Sequence, residues 1–150
     1  MNACTFFGHS DTPEAVIPLL RKAVIDLIEN QKADTFFVGT HGAFDRHTCC
    51  VLREIKKFYP HIDYQIVLAY MPKQTDKDFP YEINETLLPD GIETVPPRFA
   101  INYRNKWMIQ RSKFVITYVT HDWGGAARFK SIAVKQGKAV IELSKQKSLR

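Results

Sequence analysis

The sequence predicts one α/β domain in which a parallel β-sheet is covered by helices on both faces. Three observations support this fold class. Strand-like apolar runs alternate with helical patterns along the chain. The length of 150 residues suits one domain, and 45% hydrophobic with 25% charged residues is typical of a compact core. We therefore expect a single three-layer domain over residues 1–150, with about five parallel strands in the order 3-2-1-4-5.

The first strand is expected over 3–7 and ends at Gly8. Thr12 is the expected N-cap of the first helix, and Pro13 suits its first position, where the missing N–H costs nothing. Pro18 should bend this helix or delay its regular start. Apolar residues at three- and four-residue spacing form its expected core face: Val16, Leu20, Ala23, Val24, Leu27 and Ile28.

The later elements follow the same alternation. Residues 71–97 carry five of the eight prolines and no clear period, so they are expected to form a long loop or lid. Residues 144–150 are expected to be a solvated basic tail. The remaining strands are expected over 35–38, 64–70, 114–119 and 139–143, and the remaining helices over about 43–58, 98–111 and 124–136.

The net charge of +5 favours an anionic partner, but much of it lies in the carboxyl-terminal lysines. No aromatic residue is interleaved there for bases to stack on, so a nucleic-acid partner is not expected. An apolar run of roughly 18 residues and a secretory leader pattern are both missing, so we expect a cytoplasmic protein without a membrane partner. Cys4, Cys49 and Cys50 are expected to be reduced. Monomer and homodimer both stay open.

The turns after the strands are the expected binding site. Right-handed crossovers place these turns at one edge of a parallel sheet, where such folds bind ligands. Glycine lets backbone approach a ligand closely, and a helix start attracts an anion. A tight turn needs glycine equally often, so a structural role for Gly124 and Gly125 stays open. The expected binding residues at these turns are Gly8, His9, Ser10, Gly39, Thr40, His41, His121, Trp123, Gly124 and Gly125.

The third helix adds positive charge, because residues 98–113 contain five basic and no acidic side chains. Arg104 is expected to bind a phosphate through two parallel hydrogen bonds, with Arg98 and Asn105 as further binding residues. Trp107 and Met108 either contact a base or simply anchor the helix on the sheet. No metal site is expected, since the histidines at the turns show no paired ligand spacing.

Four segments, residues 4–9, 39–45, 96–108 and 119–127, resemble a small bacterial branch of the SLOG superfamily. This superfamily comprises Rossmann-like domains similar to the Lonely Guy phosphoribohydrolases, the DNA-processing protein A domain and the molybdenum cofactor carrier proteins. The likeness extends over nearly the whole chain. It implies a Rossmann-like fold and a pocket that binds or senses a nucleotide or a nucleotide-derived phosphate compound.

One catalytic element of the Lonely Guy enzymes is matched and another is not. Arg104 and Met108 resemble their arginine with a methionine four residues on. The turn of residues 120–128 departs from their Pro-Gly-Gly-X-Gly-Thr motif, and Ala127 and Arg128 stand where an acidic pair is expected. Catalytic residues are therefore unassigned. Two alternatives to ligand binding remain, single-strand DNA binding and a phosphoribohydrolase using Asp11, Asp45, Asp122 or Glu93.

Overall fold

A computed structural model, which describes residues 1–71 and 79–145, confirms the α/β fold with one parallel sheet. Within this part of the chain the sheet has six strands: β1 (Ala3–Gly8), β2 (Thr35–Val38), β3 (Asp63–Val67), β4 (Thr86–Leu87), β5 (Phe114–Tyr118) and β6 (Ala139–Glu142). Their order in the sheet is β4-β3-β2-β1-β5-β6. The five expected strands have the expected 3-2-1-4-5 order, and the two-residue β4 at the edge is additional.

Helices cover both faces of this sheet. Alternate residues of each strand point to opposite sides, so neighbours such as Phe6 and Phe7 belong to different cores. The helices are α1 (Val16–Gln31), α2 (Ala43–Phe58), α3 (Ala100–Gln110) and α4 (Gly125–Lys135). The first core lies under α1 and α2, and the second under α3 and α4.

The expected N-cap of the first helix is wrong. The backbone N–H and the hydroxyl of Thr12 both donate to the carbonyl of His9, at 3.2 and 2.6 Å, so Thr12 closes the turn after β1. Helix α1 begins only at Val16, which places Pro18 in its first turn. A proline costs little there because no helical bond needs its N–H. This delayed start is one of the two effects expected of Pro18.

Other boundaries differ by a few residues. Strand β3 ends at Val67, not at residue 70, and β5 and β6 each end one residue early. Residues Pro97–Phe99 form a separate 3₁₀ turn before α3. The expected loop over 71–97 contains β4 and two further 3₁₀ turns, while its residues 72–78 lie outside the described part. The same holds for residues 146–150 of the expected tail.

The segment before β4 is fixed by an ionic cluster. The Arg53 guanidinium donates to both oxygens of Glu85 at 2.8 Å, and the Tyr64 hydroxyl donates to the same carboxylate at 2.6 Å. These donors hold the pKa of Glu85 down at about 2. The stretch around Glu85 is therefore anchored to α2 and β3. Among the described residues, no helix has the length and apolar character needed to cross a bilayer.

Candidate functional site

A cleft of about 460 Å³ opens where the strand order reverses, at the carboxyl ends of β1, β2 and β5. Such a switch point is the usual ligand position in open α/β sheets. Three expected residues are not part of its lining. Thr40 accepts a hydrogen bond from Arg104, Gly39 leaves space that Asp45 and Arg104 border, and the exposed Arg98 lies over the Phe99 ring. The structure brings ten of the thirteen expected residues into its lining: Gly8, His9, Ser10, His41, Arg104, Asn105, His121, Trp123, Gly124 and Gly125.

The turns after β1 and β2, which form two corners of the cleft, pack closely against each other. A Cβ on Gly8 would lie 2.2 Å from the buried Phe44 ring, so only glycine lets α2 pack against β1. Gly42 has a φ of +90°, and its Cβ would lie 2.6 Å from the Cα of Ser10. The N–H of Ala43 donates to the Ser10 carbonyl at 2.8 Å. Gly8 therefore has a structural role, and the β1 and β2 corners pack together as one wall of the cleft.

The start of α4 forms the opposite wall. Gly124 precedes the helix with a φ of +91°, and the N–H of Arg128 closes the first turn on its carbonyl at 3.1 Å. The N–H groups of Gly125, Ala126 and Ala127 find no acceptor among the described residues. This turn also contains no acidic side chain, so the positive end of the helix dipole is uncompensated. A Cβ on Gly125 would meet nothing within 4 Å.

Arg104 is the buried cation of the cleft, with only 1% of its surface exposed. Its guanidinium donates to Asn105 Oδ1 at 2.7 Å and to the Val67 carbonyl at 2.9 Å. It also donates to Thr40 Oγ1 at 3.1 Å and to His41 Nδ1 at 3.2 Å. All four acceptors are neutral, because His41 Nδ1 can accept only when unprotonated. Burial accordingly lowers the pKa of Arg104.

The hydrogen bonds of Arg104 within the protein limit the expected two-pronged contact with a phosphate, which stays a prediction. A guanidinium has five N–H groups, and four of them are used within the protein. Among the described residues, the fifth N–H, on Nη2, has no acceptor, and it can donate to a ligand. In this arrangement, Arg104 can therefore contribute its charge and one hydrogen bond.

Asp45 lies in the cleft beside Arg104, in the first turn of α2. Its Oδ2 accepts the backbone N–H of His41 at 2.9 Å. A Cβ on Gly39 would lie 2.8 Å from this oxygen and 3.3 Å from Arg104 Cζ, so glycine leaves room for both groups. Burial raises the pKa of Asp45 to about 6, against the opposing effects of the hydrogen bond and of the Arg104 charge.

Three stacked rings form the mouth of the cleft. The His9 and His121 rings are 3.8 Å apart and 17° from parallel, and His121 and Trp123 stack at 3.8 Å and 16°. The N–H of Thr120 donates to His9 Nε2 at 2.9 Å, and His121 Nδ1 donates to the Trp123 carbonyl at 2.9 Å. Burial, with the neighbouring His121, lowers the pKa of His9. In the described residues no three potential metal ligands converge.

Sequence reasoning assigned no binding role to two further charged groups in the cleft. Arg128 lies in the first turn of α4 and donates to Asn102 Oδ1 at 3.4 Å. In the sequence, Arg128 was noted only as a departure from an enzyme motif. A basic residue one turn into a helix that starts with two glycines is nevertheless a signal of an anion-binding site. Asp11 also lines the cleft, whereas Asp122 faces a separate depression behind the 120–124 loop and Glu93 is exposed elsewhere.

The chain matches no known protein-family model, and no curated protein is significantly similar to it. A fold of this kind hosts many functions. The functional interpretation therefore rests on the chemistry of the cleft.

Proposed function

We propose that the protein binds or senses a nucleotide or a nucleotide-derived phosphate ligand in this cleft, as its resemblance to the SLOG superfamily implies. One observation carries the proposal. The uncapped N-terminus of α4, with three N–H groups that have no acceptor in the described residues, lies on the same cleft as the buried guanidinium of Arg104. Free N–H donors and an uncompensated positive charge together favour an anion.

The phosphate is best accommodated at the α4 end. Gly125 leaves open space over the first turn, so a phosphate oxygen can approach the backbone N–H groups. Arg128 supplies an exposed positive charge there, and no carboxylate within 4 Å pairs with it among the described residues. Arg104 adds its charge from deeper in the cleft.

A flat ring is best accommodated by Trp123. This side chain is 69% exposed, yet one of its faces is held against His121. Exposing a large, fixed aromatic surface is unfavourable, and a stacked base would remove much of it from water. A volume of about 460 Å³ is within the range of small-molecule sites. The cleft therefore offers complementary groups for both ends of a nucleotide.

Calorimetric titration with ribonucleoside 5′-monophosphates tests the proposal, with thermal unfolding as a second readout. A hundredfold excess over the dissociation constant should stabilise the wild type by about 2.7 kcal/mol. Arg128→Gln should weaken binding about tenfold, as loss of a charge-assisted hydrogen bond does. Lys135→Gln removes the same charge from the last turn of α4 and should have no effect. A wild type that no nucleotide or sugar phosphate stabilises would overturn the proposal.

A phosphoribohydrolase-type reaction is the second candidate, and Asp45 favours it. A carboxyl group with a pKa of about 6 inside a cleft has the property of a general acid or base. The reaction would release free base and ribose 5-phosphate from a nucleoside monophosphate. Product analysis by chromatography, with Asp45→Asn as the inactive variant, decides between hydrolysis and binding alone.

A further inference from the structure

One oxygen of Asp45 accepts no hydrogen bond within the described part of the chain. Oδ2 accepts the His41 N–H, which fixes the side chain in the first turn of α2. Across residues 1–71 and 79–145, no donor bonds Oδ1, although Asp45 lines the cleft. A carboxylate oxygen has two acceptor positions, and leaving them without a donor away from bulk water is unfavourable. A ligand that fills the cleft and excludes water must therefore bring a hydrogen-bond donor to Asp45.

The charge of this group restricts what that donor can be. The phosphate of the ligand is itself anionic and only accepts hydrogen bonds from the protein, so it is repelled by Asp45 and belongs at the α4 end. The ring is best placed on Trp123. What remains of a nucleotide is its sugar, whose hydroxyl groups are neutral and donate hydrogen bonds.

The position of Arg104 beside Asp45 also favours a hydroxyl group. The position of a Cβ on Gly39 would be 2.8 Å from Asp45 Oδ2 and 3.3 Å from Arg104 Cζ, so the carboxylate and the guanidinium share one small space. In the part of the chain that the structure describes, one N–H on Arg104 Nη2 has no acceptor. A hydroxyl group donates and accepts at once, and it can satisfy an acceptor and a donor placed side by side. An ether, a carbonyl or a C–H group cannot.

We infer that Asp45, beside Arg104, is the receptor for a sugar hydroxyl and makes the cleft selective for ribonucleotides over 2′- or 3′-deoxyribonucleotides. The inference rests on the proposed function and adds the sugar class to it. Asp45 is then a specificity-determining residue, whereas the α4 N-terminus and Arg128 hold the phosphate of either kind of nucleotide.

Calorimetric titration of the full chain with matched pairs tests the inference. The probes are the four ribonucleoside 5′-monophosphates and their 2′-deoxy and 3′-deoxy counterparts. For at least one base and one deoxy position, the wild type should bind the ribonucleotide about tenfold more tightly, because a site built around a hydroxyl is left with unpaired groups by the deoxy analogue. Asp45→Asn should reduce this ratio to less than about threefold, while affinity for the deoxynucleotide changes little.

The matched control is Asp63→Asn, which alters an exposed carboxylate at the start of β3, outside the cleft lining, and should preserve the wild-type ratio. Equal wild-type affinity for both members of every pair would overturn the inference and leave nucleotide binding intact, and this measurement needs no variant. A ratio that survives Asp45→Asn would also overturn it. If no nucleotide bound the wild type, the proposed function and the inference would both fall.

Discussion

Substituting Gly125 with alanine should raise the stability of the protein while weakening ligand binding. The added methyl meets no atom within 4 Å, and Gly125 has no left-handed φ, so the folded state accepts the substitution without strain. Alanine also restricts the unfolded chain, which is worth about 0.4–1 kcal/mol. For a chain of this size, the gain corresponds to an increase in Tm of about 1–4 °C. The same methyl occupies open space over the α4 N–H groups that have no acceptor in the described residues.

A phosphate bound there would lose its close approach to the backbone. We expect binding at least about tenfold weaker, or about 1.4 kcal/mol. Urea unfolding measures the gain in stability, and calorimetric titration measures the loss of affinity. Gly124→Ala is the matched control, because its φ of +91° should make alanine cost about 1–3 kcal/mol. Unchanged affinity in a stabilised Gly125→Ala variant would refute the phosphate position, and lost stability would refute the local geometry.

Three further predictions concern the buried charges. Asp45 has a folded-state pKa raised from 3.8 to about 6, so its contribution to stability is complete below pH 3.8 and is lost as the pH rises through about 6. That rise corresponds to up to about 3 kcal/mol. In urea unfolding, the Asp45→Asn variant should therefore have a higher free energy of unfolding than the wild type at pH 8 but not at pH 4. An equal difference in this free energy at both pH values would contradict the prediction. Glu85, with its pKa lowered from 4.5 to about 2, stabilises the fold above pH 4.5 and loses this effect as the pH falls through about 2. Glu85→Gln should cost roughly 2 kcal/mol at pH 7, whereas the exposed Glu93→Gln should cost nothing measurable in the same unfolding experiment. Arg104→Lys keeps the charge but loses the planar guanidinium and most of its four hydrogen bonds within the protein. Thermal and urea unfolding should therefore show a loss of stability of about 1–3 kcal/mol. A variant as stable as the wild type would show that the four bonds contribute little.

The sheet was predictable because its signals are local. Each buried strand is a short apolar run, and its order follows from alternation with helices and from the hand of the crossovers. Strand β4 was not predictable, since Thr86–Leu87 is too short to show a period and pairs with β3 only at Ile66 and Val67. The expected start of α1 at Thr12 was wrong because the turn before the helix uses this residue in another way. Thr12 has the side chain of an N-cap, but its hydroxyl and N–H both bond the carbonyl of His9, which keeps Thr12 in the turn before the helix.

The cleft was predictable in its position but not in its chemistry. Parallel strands force the glycine-bearing corners onto one edge, which requires only the order of elements. The partners of Arg104 and the raised pKa of Asp45 depend on burial and on neighbours from distant segments. The stacking of His9 on His121 joins residues far apart in the chain, and spacing within either segment carries no sign of it.

The column of His9, His121 and Trp123 also gives the molecule an optical property. Indole emission is quenched by a neighbouring imidazolium and by a base stacked on its face, and Trp123 has one face against His121 and the other open. Trp107, the second indole, lies on α3 against Phe37 with Arg111 over its ring, away from this mouth. In a Trp107→Phe background, the fluorescence of the unlabelled protein would therefore report events at the entrance of the cleft alone.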